Sequence, residues 1–171
     1  MHFPLHPDTP AEGRSLKELF RGRNIQAAHT RLQALMDAEG LPYRPRTHTY
    51  NSRLAQELAK WAETRPGGES IHDALFKAYF VDGRNIGDFA VLVDVARSVG
   101  LPADEAADAL KDRRYRTSVD ADWAKSREYG VTGVPTFVSG GRGVVGAQPY
   151  ETLVQLLRQR NATPRTERDP E

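Results

Sequence analysis

The hydrophobic pattern of the chain changes period at Gly130, and that change limits the folds open to it. From Asn24 to Tyr129 apolar residues recur at helical spacing. Beyond Gly130 come two short β-patterned runs around a glycine pair, then one more helical stretch. A long helical series followed by a hairpin predicts an α/β fold: a small sheet interrupted by a helical block.

The individual elements follow from caps and stripes. Asn24 is placed to cap a helix over about 24–39, with Ile25, Ala28, Leu32, Leu35 and Met36 on one face and Gly40 at its end. Asn51 or Ser52 caps a second helix to about Thr64, with Leu54, Leu58, Trp61 and Ala62 inward. Ser70 and Asp73 fit a capping box for a helix over Ile71–Val81 that buries Ile71, Leu75, Ala78 and Tyr79. Asp88 caps a helix to Val99, striped by Val91, Leu92, Val95 and Val99. Pro102 suits the first position of a helix to about Asp112. Another covers about Thr117–Tyr129, where Val119 and Trp123 lie one turn apart. Thr136–Ser139 and Gly143–Ala147 predict strands turned by Gly140–Arg142, and Pro149 opens a last helix to about Arg160 with Tyr150, Leu153, Val154 and Leu157 inward. Ahead of these, Phe3–Leu5 reads as a short extended segment, Pro7–Arg14 as a loop and Ser15–Phe20 as a brief helix. Leu41–Tyr50 reads as extended. Residues 161–171 are polar and proline-containing, and read as a disordered tail.

Composition removes several classes of function. The 171 residues contain no cysteine, which excludes disulfides, thiolate–metal sites and a cysteine nucleophile among them. Twenty-four basic residues against 23 acidic ones leave a formal charge of +1, so neither nucleic acid nor membrane is an expected partner. No run approaches the ~18 apolar residues of a membrane span. Met1–Pro10 lacks the features of a signal peptide, and a cytoplasmic location is expected. No metal is expected either. His2 and His6 could share a helix face, but Pro4 and Pro7 argue against a helix there. Gly140–Gly141–Arg142–Gly143 could cradle an anion, yet a hairpin turn explains it as well. Arg21, Arg23, Arg158 and Arg160 read as solvated surface, and Trp61, Tyr79 and Trp123 as core.

The motif with the most chemical content is Val131-Thr132-Gly133-Val134-Pro135-Thr136-Phe137. A proline directly before a β-run cannot donate to a ladder, so it starts the strand or sits in a tight turn. A plain loop-to-strand junction accounts for that pattern, and so does a cis-proline loop. With the glycine-rich hairpin and the Gln148-Pro149-Tyr150 helix start, the motif resembles the end of DsbA-like thioredoxin domains. The resemblance is to the branch of FrnE-type oxidoreductases and 2-hydroxychromene-2-carboxylate isomerases. Phe3-Pro4-Leu5-His6-Pro7 resembles that family's second strand and following loop, and Tyr50-Asn51-Ser52 the start of its inserted helical domain. Ala78 to Asp88 is similar to a helix–loop–helix of the branch.

The resemblance implies a thioredoxin-like fold over 1–23 and 126–160, with a helical insertion over 24–125. It also implies a cis-proline loop at Val134-Pro135. In the family this loop faces a Cys-x-x-Cys pair at a helix N-terminus, where the helix dipole favours the attacking thiolate. Here the first strand, the first helix and both cysteines have no counterpart, and an N-terminally truncated gene product is the expectation. Phe3–Leu5 would then pair with Thr136–Ser139 or be poorly ordered. Two readings of function follow. One is a thiol–disulfide oxidoreductase of the DsbA/FrnE type, redox-inactive as this cysteine-free chain. The other is a non-catalytic module binding a peptide or glutathione, or a relative of the glutathione-dependent isomerases. Both place binding at Thr132, Gly133, Val134 and Pro135, with Asn51 and Ser52 beside them. Helix capping alone also explains those last two residues. No cofactor other than glutathione is implied, and a thiol or peptide is the implied partner.

Overall fold

A computed structural model describes residues 1–159. The order is β1 (Arg14–Ser15), α1 (Leu16–Leu19), α2 (Ile25–Ala38), β2 (His48–Thr49), α3 (Arg53–Ala62), α4 (Ser70–Phe80) and α5 (Phe89–Ser98). It continues with α6 (Ala103–Lys111), α7 (Arg116–Glu128), β3 (Thr136–Ser139), β4 (Arg142–Val145) and α8 (Tyr150–Arg158). The tail at 161–171 and the end of the last helix at Arg160 lie outside the described residues.

The core is helical. α3 is its hub and packs against α4, α5, α6 and α7. Leu58, Ala62, Ile71, Leu92, Ala96 and Ala106 are wholly buried there, with Trp61 beside them. Each of these helices carries an apolar stripe and a short connection to the next, so neighbours in sequence close on one another. Asp88 caps α5 through the Val91 N–H at 3.0 Å. Asn24 caps α2 through Ala27 at 2.9 Å.

One buried charge sits inside this block. Glu57 is 2% exposed. It accepts Arg53 Nε at 2.7 Å and two bonds from Arg113, at 2.8 and 2.7 Å. Burial alone pushes its carboxyl up, but the Arg113 and Arg53 hydrogen bonds outweigh burial and hold it below the usual glutamate value. Arg113 adopts a left-handed backbone, φ 52°. That conformation costs a non-glycine residue about 1–2 kcal/mol, which the two bonds to Glu57 help to offset.

The strands form two separate antiparallel pairs. β1 pairs β2 with Arg14 opposite Thr49, and β3 pairs β4 with Thr136 opposite Val145. Gly140 and Gly141 turn the hairpin with φ of 54° and 77°. Two consecutive positive φ values are what a tight hairpin matching strand twist requires, and glycine takes them without steric cost. α8 packs on β4 and β3.

Several sequence expectations need correction. Phe3–Leu5 is neither a strand nor paired with Thr136–Ser139; the segment lies against the helices. The Phe3 carbonyl accepts Gln56 Nε2 at 3.0 Å, and the His2 N–H donates to Asp122 at 2.8 Å. A strand needs a ladder, and here side chains of α3 and α7 take these backbone groups instead. The Ser70–Asp73 capping box does not form: Glu69 is the cap, and Ser70 Oγ turns back to the Gly67 carbonyl at 2.8 Å. α2 is a helix where predicted, but none of its residues is buried, and Leu35 is 51% exposed. In α8 the buried residue is Leu156, whereas Tyr150 and Leu157 face outward. Leu41–Tyr50 is extended only in part, with β2 confined to two residues. Trp123 is half-buried, bonded through its indole N–H to Gln56 Oε1 at 2.7 Å and covered by Arg53 at 4.6 Å.

Candidate functional site

The Val134–Pro135 loop is held at both ends. α7 ends at Gly130 in a left-handed conformation, φ 66°, with the Val131 N–H returning to the Ser126 carbonyl at 2.9 Å. On the far side, Thr136 Oγ1 donates to the Gly133 carbonyl at 2.6 Å, and the Gly146 N–H donates to the Pro135 carbonyl at 2.8 Å. The Val134–Pro135 peptide bond is cis. Between its anchors Val134 projects outward and is 49% exposed.

Val134 stands between two clefts. On one side, Val134 and Pro135 close a groove of about 1210 Å³ whose opposite walls are Leu32 and Met36 of α2, Phe76 and Phe80 of α4, and Val95 of α5. Leu41, Pro42 and Tyr43 extend the wall. α2 therefore leaves its apolar face half-open to form this groove rather than packing on another helix. Phe76 is 62% exposed and stands on the wall of this groove. On the other side, Val134 and Val138 border a smaller cleft of about 450 Å³ with His2, Phe3 and Tyr129. Burial lowers the His2 imidazole to about 4 despite the opposing pull of Asp122, so its ring is neutral there at pH 7.

The structure brings some of the sequence candidates together. Val134 and Pro135 share the groove, with Gly133 and Thr132 just before them. Asn51 and Ser52 border neither cleft. The Asn51 amide donates to the Pro7 and Thr9 carbonyls at 3.0 and 2.8 Å, and its oxygen accepts the Arg53 N–H at 2.9 Å. Ser52 occupies the cap position of α3 without a capping bond and accepts Gln56 Nε2 at 3.1 Å. These bonds tie the N-terminal loop to α3. The groove walls on α2 and α4 escaped sequence reading: Leu32 and Met36 read as part of an inward stripe, and Phe76 lies off the stripe of Ile71, Leu75, Ala78 and Tyr79. No group of three or more potential metal ligands gathers among the described residues.

With this geometry in view, the relatives of the chain become informative. Residues 1–158 match the DSBA-like thioredoxin domain, and the chain belongs to that family. A crystal structure from Streptomyces coelicolor, described as a probable DsbA oxidoreductase, superimposes with a TM-score of 0.72 at 36% identity, covering 84% of this chain and 64% of that one. A crystal structure from Nitrosomonas europaea, described as a "putative protein disulfide isomerase", gives a TM-score of 0.63 at 18% identity over 82% of this chain and 74% of that one, a likeness of fold. The uncharacterized protein YwbO of Bacillus subtilis is 33% identical over 112 residues, which make up 64% of this chain. The chain spans about half of that relative's length, 55%. The fold is thus of the mixed α/β, DsbA-like thioredoxin type, with about half of its described residues in helices. Among the described residues no helix is long and apolar enough to cross a membrane.

Proposed function

We propose that the chain carries the substrate-docking portion of a thiol–disulfide oxidoreductase of the FrnE type, in which 24–125 form the helical insertion between 1–23 and 126–160. The observation that carries the reading is the groove itself: Val134 and the cis Pro135 face an apolar trough walled by α2, α4 and α5. An unfolded peptide offers both of the things such a site can take. Its apolar side chains fill the trough, and its backbone can pair with the N–H and carbonyl of Val134, which take no hydrogen bond among the described residues. Thiol–disulfide exchange begins with a thiolate attacking a disulfide sulfur, and these 171 residues supply none. The chain therefore binds substrate without exchanging its disulfides, and catalysis requires a Cys-x-x-Cys unit that these residues do not contain.

Two measurements test this. In a dithiol-dependent assay of protein-disulfide reduction, the 171-residue chain is expected to give no rate above the uncatalysed one; measurable turnover overturns the redox-inactive reading. In a titration with a fluorescent, apolar unfolded peptide, saturable binding is expected, together with its loss in Val134→Asp. Absence of binding to the unaltered chain, or equal binding by the variant, removes the docking role.

A further inference from the structure

Away from the groove, the segment leading into β2 makes a second pocket against the C-terminal end of α4. It holds about 160 Å³ and is lined by Arg44, Arg46, His48, Tyr50, Tyr79 and Gly83, with no carboxylate on its wall. That is the room of roughly five water molecules at ~30 Å³ each. We propose that this pocket binds a phosphate-class oxyanion.

Its two guanidinium groups carry the argument. Among the described residues neither Arg44 nor Arg46 is ion-paired, whereas Arg53, Arg65, Arg84 and Arg113 each meet a carboxylate. One N–H of Arg46 donates to the Tyr79 hydroxyl. That hydroxyl in turn donates to Thr49 Oγ1 at 3.2 Å. The other N–H groups of both guanidinium groups lack a protein acceptor among the described residues. Arg46 is nevertheless half-buried, with its guanidinium carbon 4.6 Å from the Tyr79 ring centroid and 5.3 Å from that of Phe80. Burial pushes it below the usual arginine range, as expected of a desolvated cation short of a counter-ion.

The rest of the pocket fits the same ligand. Arg44 passes over Gly83, where a Cβ would make only ordinary contact with its guanidinium nitrogen at 3.6 Å; the positive φ of 69° is what calls for glycine there. His48 stacks on Tyr50 with planes 13° apart, making a flat wall beside the cations. The end of α4 does not explain the arginines by itself. The Phe80 and Ala78 carbonyls are already taken by the Arg44 and Arg84 backbone N–H groups, at 2.9 and 2.8 Å. A tetrahedral oxyanion accepts several charge-assisted bonds from different directions, which two arginines lining one pocket can donate.

The test is a titration of the full chain followed by two-dimensional amide spectra, with ionic strength held by sodium chloride. Inorganic phosphate and phenyl phosphate are added separately. Saturable shifts centred on residues 44–48 and Gly83 are expected. Arg46→Gln should weaken affinity about tenfold and Arg44→Gln about fivefold, with Arg97→Gln unchanged. Arg46 also holds Tyr79, so Arg44→Gln, whose side chain makes no polar contact among the described residues, keeps the test decisive if the first variant misfolds. Tighter binding of phenyl phosphate assigns a phosphomonoester whose ring lies on the Tyr50–His48 wall; equal or weaker binding assigns free phosphate. Shifts that fail to saturate, shifts reproduced by acetate, or unaltered affinity in Arg44→Gln overturn the site. None of these outcomes depends on the groove at Val134.

Discussion

Helices α3 to α6 bury Leu58, Ile71, Leu92 and Val95 to 2% exposure or less. Among the described residues, the hairpin β3–β4, the loop before it and helix α8 bury Leu156 alone, and leave Val134, Phe137, Val138, Val145 and Tyr150 between 40% and 76% exposed. Both regions have clear periodicity, so pattern strength is not what separates them. The helices are five amphipathic neighbours, α7 included, that cover one another around α3. A two-stranded hairpin has two faces, and one short helix covers part of one. Stability accordingly concentrates in the helical block, while the hairpin presents apolar surface and the Val134–Pro135 loop to whatever binds there.

Three substitutions sharpen or break this contrast. The largest effect is expected from Leu58→Ala, which opens a cavity at the hub of α3. It should cost about 3–5 kcal/mol in urea unfolding; a loss under ~1 kcal/mol would mean that the helical block is not the seat of stability.

Glu57→Gln comes next. It strips Arg53 and Arg113 of their shared carboxylate. Breaking a buried pair costs ~3–5 kcal/mol, and with Arg113 partly solvated about 2–3 kcal/mol is expected. The pH dependence carries its own sign. The folded carboxyl lies below its ordinary value of 4.5, so its contribution is complete above that value. It is lost as pH falls through the lowered folded value, because the unfolded chain then binds the proton more readily. Unfolding curves between pH 7 and pH 3 should show a slope at the acid end that Glu57→Gln lessens.

The smallest effect is expected from Phe137→Ser on the hairpin. At 40% exposure the ring makes little core, and stability should change by no more than ~0.5 kcal/mol. A cost comparable to Leu58→Ala would erase the distinction between the two regions.

The site divides along similar lines. The Val134–Pro135 loop was legible because a proline before a β-run, flanked by glycines, has few structural uses. The groove opposite it was not. Its walls come from α2, α4 and α5, and Leu32, Phe76 and Val95 are joined by no local pattern. Glu57 left a trace: it lies on the same face of α3 as Leu54, Leu58 and Trp61, where a charge needs a partner. That the partner is Arg113, 56 residues on, could not be read from spacing. Arg44 and Arg46 sit in an extended run of prolines and polar residues that reads as loop.

The sequence by itself determined where helices begin and end, where the chain turns at Gly140–Gly141, and to which family the loop points. Caps, stripes and glycine conformations act within a few residues and so are written locally. The tertiary structure alone decided which apolar faces are covered. It left α2 open, turned Tyr150 and Leu157 outward, and laid Phe3–Leu5 on helices instead of in a sheet. Periodicity marks a face as apolar but does not supply the surface that buries it. That surface comes from elsewhere in the chain, and on the groove, α2 and the hairpin it covers only part of the apolar face.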